Sequence, residues 1–591
     1  MRSRLRTSRI PRYIQHPEVS VKQLLTDIFK TAIKETFGDL AANCDPMIQI
    51  SSRKEFGDYQ ANFAMRLAKE LQKKPFDIAT AIVDTLKDKK FFKSLEPSGP
   101  GFINIFLDDA FLAECLQPLV QDDRLGIEPN QTPENTVVDY ANANVAKEMH
   151  VGHIRSIVIG DAIVRILNFL GHPVIRQSHL GDWGTQFGML IEYLYETNEQ
   201  HTPHSVSDLD PLYKLSKAKF DADPEFADRA RSRVVALQNG DKETLAIWNK
   251  LVKESLSYFQ KIYDKLDVLL TEEDARGESF YNSMLAETVS ELMELGLAHE
   301  SDDATVVPLD EFPIPYLIRK KDGGYLYATT DLAAAKFRIE TLKAKRIIYL
   351  TDARQKQHFA MLFATLHKAK WIGENIRLEH IPFGAILGQD NKPFKTRSGE
   401  LIKLISLLEE AEKRAEVIAR EKNPTLSQEE INKIAHNIGI GALKYADLRS
   451  DKVKDYVFDW DKLLSFEGNT APYLQNAYVR IRAIFRKGSI NPADFQQAKI
   501  ILTTDIEHTL ATKILNFPDV IYSVSENLSL HSLCDYLYDL AATYHKFYEQ
   551  CPILSHDDKT TRDSRLVLSD LTARTLQLGL DLLGIKTVEK M

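Results

Sequence analysis

A strand–helix–strand unit near the first quarter of the chain constrains the fold more than any other sequence feature. A short β-rich run at residues 136–142 (TVVDYAN) precedes a segment whose apolar residues recur at helical spacing over residues 154–167. Gly171 ends that helix, and a second strand follows at residues 174–177 (VIRQ). This βαβ unit predicts parallel strands with helices packed against the sheet.

Three further strand-like runs extend the pattern, at residues 325–330 (YLYATT), 346–350 (RIIYL) and 381–387 (IPFGAIL). Helical segments intervene, so we predict an α/β domain with a Rossmann-like parallel sheet over residues 129–460. The helical and highly charged stretch at residues 193–309 is predicted to be an insertion into that domain.

Different patterns flank the α/β domain. Amphipathic helices at residues 21–37 and 58–71 and a strand at residues 99–107 predict an N-terminal α+β domain over residues 21–128. From residue 461 the chain is helical and rich in tyrosine, which predicts an all-α domain over residues 461–591.

The start of the chain has its own composition. Residues 1–13 carry five arginines and no acidic residue, and they lack the apolar core of a secretory signal. A transit peptide is compatible with this pattern. For residues 1–20 we favour a disordered basic extension or an upstream start codon.

Composition limits the class of protein. The chain has 591 residues, of which 44% are hydrophobic and 27% charged, and no apolar run has the length of a membrane span. Its four cysteines form no CxxC pair, so we expect no disulfide framework and no metal site, which fits the cytoplasm. The net charge of −9 counts mildly against a nucleic-acid binder, although a local basic face is enough for binding.

The segment His150-Val151-Gly152-His153 lies at the predicted strand-to-helix junction. Two histidines three residues apart share a helical face, and Gly152 lets a nucleotide approach the backbone. A helix start offers free N–H groups and a positive dipole end, which suit a triphosphate. Imidazoles there can donate hydrogen bonds to phosphoryl oxygens, although two incidental histidines would look the same.

A basic loop lies far downstream, at residues 392–399 (KPFKTRSG). Its three cations are able to close over phosphates, although a solvated surface loop is the more common reason for such a cluster. Both segments follow predicted strands, whose carboxyl ends bind ligands in α/β sheets. The presence of both segments after strands of the same predicted sheet favours a nucleotide-binding site.

HVGH resembles the HIGH motif of class I aminoacyl-tRNA synthetases, and KTRSG stands where their KMSKS loop belongs. The details resemble the arginyl-tRNA synthetase family within that class. The blocks that carry this resemblance lie at residues 142–153 (NANVAKEMHVGH), 181–188 (GDWGTQFG), 325–332 (YLYATTDL), 392–399, 56–62 (FGDYQAN), 99–105 (GPGFINI) and 469–487 (NTAPYLQNAYVRIRAIFRK). Two positions depart from the family: Ser-Pro often precedes Asn144, and the second lysine of KMSKS is Ser398 here, for which Lys147 is implied to compensate.

The resemblance implies an arginine–tRNA ligase with an N-terminal additional domain and a C-terminal anticodon-binding domain. The carboxylate of L-arginine would attack the α-phosphorus of ATP, accompanied by Mg²⁺, and the arginyl group would pass to the 3′ end of tRNA(Arg). The implied catalytic residues, which stabilise charge, are His150, His153, Lys147 and Lys395. The implied ATP-binding residues are His150, Gly152, His153, Lys395, Arg397 and Ser398. The resemblance also implies a monomer that requires tRNA for the first step.

Amino-acid choice requires a site for a guanidinium, which is a planar fork of donors that binds best to carboxylates and other acceptors. The predicted arginine-binding residues are Asp139, Tyr327 and Asp331, with Asn144 and Gln355 at family positions that contact substrate. Asp331 after Thr-Thr has helix capping as an alternative role, and Asp139 has a strand-end turn.

Cations and tyrosine alternate on one predicted helix of the last domain, at Tyr478, Arg480, Arg482 and Arg486. Such residues pair phosphates and stack on unpaired anticodon bases, so they are the predicted tRNA-binding residues. Alternatively, Tyr478 faces a helical core and the cations are solvated. The sequence does not separate these two arrangements.

Three other functions stay open. A class I synthetase for another amino acid would activate that amino acid, and the predicted acidic pocket argues against it. A small nucleotidyltransferase would be indifferent to tRNA and would not need the long helical C-terminal region. An inactive paralogue would bind tRNA without consuming ATP, but the histidines and the basic loop are intact.

Overall fold

The structure, a computed structural model, describes residues 20–591 apart from residues 42, 52, 200, 201, 322 and 396–400. The predicted extension before residue 20 and the loop residues Arg397 and Ser398 lie outside the described residues. Within the described part of the chain, no helix is long and apolar enough to cross a membrane.

An α+β unit forms the N-terminal part of the molecule. Its elements are α1 (Val21–Phe37), β1 (Ile48–Ile50), β2 (Tyr59–Ala61), α2 (Ala64–Leu71), α3 (Pro75–Leu86), β3 (Phe92–Ser98), β4 (Phe102–Leu107) and α4 (Asp109–Leu116). The strands form an antiparallel sheet of order β1-β2-β4-β3. The helix predicted at residues 21–37 is confirmed. The single helix predicted at residues 58–71 is wrong, because Tyr59 and Ala61 are buried on one face of β2 and pair with β4.

The central part is the predicted α/β domain. Its first elements are β5 (Thr136–Asp139), α5 (His153–Phe169), β6 (Val174–Leu180), α6 (Thr185–Glu196), α7 (Val206–Ala222), α8 (Pro224–Gln238), α9 (Lys242–Lys265) and β7 (Ala275–Gly277). The next are α10 (Asn282–Glu294), β8 (His299–Ser301), β9 (Ala304–Val307), β10 (Tyr316–Arg319), α11 (Tyr327–Glu340), β11 (Arg346–Asp352), α12 (Lys356–Lys368), β12 (Arg377–Phe383) and β13 (Ile386–Leu387). The predicted parallel sheet is confirmed.

The strand order of the main sheet places the site. The order is β12-β11-β5-β6-β7, and every neighbouring pair is parallel. The chain therefore builds outward from β5 through β6 and β7, then crosses over to add β11 and β12 on the other side. The carboxyl ends of β5 and β11 flank this reversal, and open α/β sheets bind ligands at such a switch point.

Two predicted elements in this domain are wrong. Residues 325–330 were expected to be a strand, but α11 begins at Tyr327 and buries Ala328 and Leu332 on one helical face. The stretch at residues 193–309 is not purely helical, because β7 joins the main sheet and β8 and β9 form a separate sheet with β10. Strands of three or four residues are too short for their periodicity to stand out in the sequence.

Helices dominate the C-terminal part. They are α13 (Leu404–Lys422), α14 (Gln428–Leu448), α15 (Trp460–Leu463), α16 (Ala471–Gly488), α17 (Asp505–Leu515), α18 (Phe517–Asn527), α19 (Leu530–Gln550) and α20 (Lys559–Leu582), and the short strand β14 (Tyr456–Val457) pairs with β13. One cluster of buried apolar residues includes side chains from α1, α5 and α20. The N-terminal, central and C-terminal parts therefore pack together.

His508 on α17 links the C-terminal helices to the N-terminal part. Its Nδ1 lies 2.7 Å from Asp109 Oδ1, and its Nε2 lies 2.9 Å from Asp58 Oδ1. Burial lowers the pKa of the ring, but the hydrogen bonds and charges of Asp58 and Asp109 outweigh burial, so its pKa is raised above the ordinary 6.5. A protonated His508 can donate to both carboxylates at once.

His508→Ala is expected to destabilise the protein more at pH 6 than at pH 9. Because the pKa of His508 is raised on folding, its stabilisation is complete below about pH 6.5 and is lost as the pH rises through the raised value. Each charged hydrogen bond is worth about 1.5–3 kcal/mol. The measurement is the difference in Tm from the unsubstituted chain at the two pH values, with His531→Ala as the control. Equal losses at both pH values would contradict the charged bridge.

Candidate functional site

Backbone hydrogen bonds join the two motif segments. The N–H of Val151 donates to the carbonyl of Ile402 at 2.8 Å, and the N–H of Leu404 donates to the carbonyl of Met149 at 2.8 Å. His150 and Lys403 form the antiparallel bridge between these bonds. The chain that leaves the basic loop is therefore paired directly with the HVGH segment.

His150 and His153 face each other at the start of α5. Their ring centroids are 4.0 Å apart. The N–H of His150 lies 3.0 Å from His153 Nδ1, and the N–H of Gly152 lies 3.1 Å from His150 Nδ1. His153 Nδ1 also lies 3.2 Å from the carbonyl of His150, to which it donates in the other tautomer. When both Nδ1 atoms accept the N–H bonds instead, each neutral ring carries its proton on Nε2 and can donate it to a ligand.

Both histidines are neutral at pH 7 in the free protein. Burial lowers the pKa of His153 to about 4, and repulsion from His150 lowers it further than its backbone hydrogen bond raises it. Burial and the charge of Arg354 also lower the pKa of His150. Neutral N–H donors in a partly buried site stabilise charge that develops on phosphoryl oxygens.

The predicted lysines lie on either side of the histidines in the chain. Lys147 Nζ lies 4.1 Å from the centroid of the Tyr213 ring, a cation–π contact with α7 of the insertion. Lys395 is exposed, and its backbone pairs with Leu401 across the undescribed part of the loop. Gly152 lies against His150, where an added Cβ would be only 3.0 Å from Cε1 of that ring.

Two polar residues predicted to contact arginine are exposed at the carboxyl edge of the sheet. Asn144 forms a bridge with Gly181 after β6, where a Cβ on residue 181 would collide with the Asn144 side chain. Gln355 lies in the short turn after β11. Both therefore lie beside the switch point.

Asp331 lies in the first turns of α11 and does not cap it. It is the fifth residue of the helix, and the N-cap position is Leu326. Asp331 Oδ2 lies 2.6 Å from His358 Nε2, and Oδ1 lies 3.8 Å from His179 Nε2. Burial raises the pKa of Asp331, but His358, His179 and Arg338 together outweigh burial and lower it. The capping alternative for Asp331 is therefore wrong.

Two acidic residues that the sequence reasoning missed face the same site. Glu278 follows β7 directly, and Asp182 follows β6. Burial, Asp331 and Asp182 raise the pKa of Glu278 to about 8. Burial also raises the pKa of Asp182, although Ser279 donates to it through its N–H at 2.9 Å and its hydroxyl at 2.6 Å. This cluster of carboxylates suits a cationic ligand.

Tyr327 begins α11 and is 60% exposed, with its ring centroid 4.8 Å from that of His358. Its ring therefore stands above the imidazole that contacts Asp331. His358 thus contacts both the exposed ring of Tyr327 and the carboxylate of Asp331.

Asp139 has a different environment from the one predicted. It is buried, and its Oδ2 lies 2.6 Å from an Nη2 of Arg338 on α11. Arg338 also donates to Gln177 Oε1 at 2.7 Å. The guanidinium of Arg338 is thus paired with the carboxylate that was expected to bind the substrate. Removing one partner of such a buried pair costs about 3–5 kcal/mol, which gives Asp139 a structural role.

Helix α16 presents two different faces, and three of the four predicted tRNA-binding residues share one of them. Tyr478 is 3% exposed, and its hydroxyl lies 3.4 Å from Glu589. Arg482 pairs with Asp570 on α20 at 2.6 Å, and Arg486 lies 3.5 Å from Glu589. These residues recur every four positions and pack toward α20 and the C-terminus. Tyr478 therefore has no free face for stacking on a base.

The opposite face of α16 lines a cleft of about 640 Å³ against α19. Arg480 and Lys487 border it from α16, and His545 and Tyr548 border it from α19. Tyr548 is 55% exposed, and burial and Arg480 lower the pKa of His545. The cleft thus combines exposed cations, among them the predicted Arg480, with open aromatic surface.

Family comparisons divide the chain into three matched regions. The model for "tRNA synthetases class I (R), catalytic domain" matches residues 115–460. The "Arginyl tRNA synthetase N terminal domain" matches residues 23–107, and the "DALR anticodon binding domain" matches residues 474–591.

Individual relatives agree with these models. The chain is 50% identical over 559 residues to an arginine–tRNA ligase of Shigella dysenteriae, covering 93% of this chain and 96% of the relative. The same figures hold for an arginine–tRNA ligase of Escherichia coli O8. A solved arginyl-tRNA synthetase of Plasmodium falciparum is 32% identical with a TM-score of 0.85, covering 97% of this chain and 99% of that one. The chain is an aminoacyl-tRNA ligase and belongs to the arginyl-tRNA synthetase family of class I.

Proposed function

We propose that this enzyme activates L-arginine with ATP, releases diphosphate, and transfers the arginyl group from its adenylate to the 3′ end of tRNA(Arg). The observation that carries the proposal is the pairing of the HVGH segment with the end of the basic loop, beside a cluster of carboxylates at the switch point of the sheet. The first feature suits a triphosphate and the second suits a guanidinium.

In the activation step the arginine carboxylate displaces diphosphate from the α-phosphorus of ATP, so the enzyme needs positioning and charge stabilisation rather than a base. His150 and His153 donate from Nε2 to phosphoryl oxygens, while Gly152 leaves room for the nucleotide. Lys147 and Lys395 supply positive charge, and Arg397 and Ser398 are assigned to ATP from the loop motif alone.

Mg²⁺ enters with ATP as part of the substrate. In the described residues, no group of three or more His, Cys, Asp or Glu side chains is arranged to hold a metal ion. Mg²⁺ commonly binds through nucleotide phosphates with few protein ligands.

Arginine selection rests on Asp331 and Glu278, with Tyr327, Asn144 and Gln355 around them. An incoming guanidinium offers five donors and a positive charge to this carboxylate cluster. The raised pKa of Glu278 means that the empty site holds a proton there at pH 7, which a bound cation would help to displace. A neutral amino acid lacks that interaction, which disfavours a synthetase for a neutral amino acid, and the planar fork of guanidinium donors distinguishes arginine from lysine.

For tRNA we propose the cleft between α16 and α19. Arg480 and Lys487 pair with phosphates, and Tyr548 stacks on an unpaired base of the anticodon loop. The family match to an anticodon-binding domain over this region supports the proposal. We further propose a monomeric enzyme that works in the cytoplasm.

ATP–diphosphate exchange with each of the twenty amino acids, with and without tRNA, tests the proposed reaction. Exchange is expected with arginine alone and only in the presence of tRNA. Exchange with another amino acid would contradict the assigned pocket but keep the class I activation site. Protein that binds tRNA and shows no exchange would be an inactive paralogue.

His153→Ala is expected to lower kcat for exchange by about 10²–10³-fold, because one preorganised donor to the reacting phosphate is lost. The KM for arginine should change little. His299→Ala, an exposed histidine in the same domain, is the matched control. A kcat within a few-fold of the unsubstituted enzyme would remove His153 from the activation step.

Arg480→Ala and Tyr548→Ala are expected to raise the KM for tRNA in aminoacylation by about 5- to 100-fold each, as the loss of a phosphate contact or a stacked base predicts. Arg486→Ala lies on the other face of α16 and should change that KM by less than about twofold. A larger effect from Arg486→Ala than from Arg480→Ala would contradict the proposed cleft.

A further inference from the structure

His358 on α12 is a buried histidine beside the proposed arginine site. Its side chain is 8% exposed, and its Nε2 lies 2.6 Å from Asp331 Oδ2. Its Nδ1 lies 3.2 Å from the hydroxyl of Tyr316 on β10. Both ring nitrogens are therefore engaged, and the two partners fix the plane and the direction of the imidazole.

The ring of His358 also supports the second residue of the site. Tyr327 packs over it at a centroid distance of 4.8 Å, with 58° between the planes. On its other side, His358 contacts Phe359 edge-on at 5.1 Å. One imidazole thus contacts the carboxylate and the tyrosine that frame the rim of the pocket.

The surroundings of Asp331 make such support necessary. The charged and titratable groups around it are His358, His179 on β6, Arg338 on α11, Glu278 after β7, and the hydroxyls of Tyr316, Tyr327 and Tyr349 on β11. Burial and a second carboxylate both disfavour the ionised form. The hydrogen bond and charge of His358 are the largest effects in the opposite direction, so the pKa of Asp331 ends below its ordinary value.

The two oxygens of Asp331 have different surroundings. Oδ2 is taken by His358, whereas Oδ1 faces His179 Nε2 at 3.8 Å, beyond hydrogen-bond distance. A guanidinium N–H that approaches Oδ1 would meet a carboxylate already fixed through Oδ2. Fixing a recognition group before the ligand arrives reduces the entropy lost on binding.

We propose that His358 is a positioning residue for arginine selection: held by Tyr316, it fixes Asp331 and keeps it ionised to receive the substrate guanidinium. The inference rests on the proposed role of Asp331. It assigns no contact between His358 and the reacting atoms, so its loss should affect arginine recognition and leave ATP binding unchanged.

The experiment measures kcat and KM for arginine and ATP in tRNA-dependent exchange with His358→Ala and His358→Gln. His358→Ala is expected to raise the KM for arginine by about ten- to a hundredfold, as the loss of a charged hydrogen bond predicts, with kcat within about threefold. His358→Gln places an N–H near the original Nε2 and should recover a large part of that loss. His367→Ala, an exposed histidine on the same helix, should behave like the unsubstituted enzyme.

Two further readouts separate positioning from a general structural role. Citrulline carries a neutral urea in place of the guanidinium. His358→Ala should therefore raise the KM for arginine by a far larger factor than it raises the inhibition constant of citrulline. The KM ratio of His358→Ala to the unsubstituted enzyme should also grow as the pH falls, because Asp331 without the hydrogen bond and charge of His358 takes up a proton more readily.

Asp331→Asn distinguishes failure of this inference from failure of the site. If Asp331→Asn raises the KM for arginine and His358→Ala does not, the positioning role is overturned and the arginine site stands. If Asp331→Asn leaves that KM unchanged, the site assignment fails and the inference fails with it. If His358→Ala raises the KM for ATP as much as the KM for arginine and lowers the Tm, and His358→Gln recovers neither KM, His358 has a structural role only.

Discussion

The backbone pairing of Met149 and Val151 with Ile402 and Leu404 is the contact on which the site depends. It joins a helix start that follows the first strand of the sheet to a loop that follows the last. Because main-chain hydrogen bonds fix their register, the basic loop must return to the same edge of the sheet as the histidines.

Charge is distributed around the switch point in two opposite ways. At the start of α5, burial lowers the pKa values of His150 and His153, so the neutral rings offer donors without adding fixed charge. Beyond β6 and β7, burial raises the pKa of Glu278 to about 8, while neighbouring cations lower that of Asp331. At pH 7 one carboxylate of this pair is thus charged and the other protonated. This division limits repulsion between the two acids and leaves a negative site for a cation.

The sequence predicted the helices and strands that have apolar periodicity over many residues or carry a motif. It did not predict features that depend on contacts between residues far apart in the chain. Helix α5 and strands β5 and β6 follow from apolar periodicity and Gly171. Glu278 was not predicted as a site residue because the strand before it, β7, has only three partly exposed residues and shows no periodicity. The partner of Asp139 is Arg338, which only tertiary structure brings to it. Which face of α16 packs inward also depends on tertiary partners, since Glu589 contacts Tyr478 and Asp570 pairs with Arg482.

The C-terminus closes the molecule back onto the helix that carries the histidines. Lys444 Nζ donates to the carbonyl of Gly584 at 2.7 Å, and Lys586 Nζ lies 2.7 Å from Asp267 Oδ1. His436 joins Asp267 to Glu412, and these hydrogen bonds raise its pKa to about 9, so the bridge is charged at pH 7. Arg165 on α5 donates to the carbonyl of Asp267 at 2.9 Å. The end of the anticodon-binding region, the base of the insertion and α5 therefore share one charged junction. Displacing the C-terminal segment would remove the carbonyl of Gly584 from the buried Lys444 and the Lys586 ammonium from Asp267, which ties the placement of the C-terminal helices to that of α5.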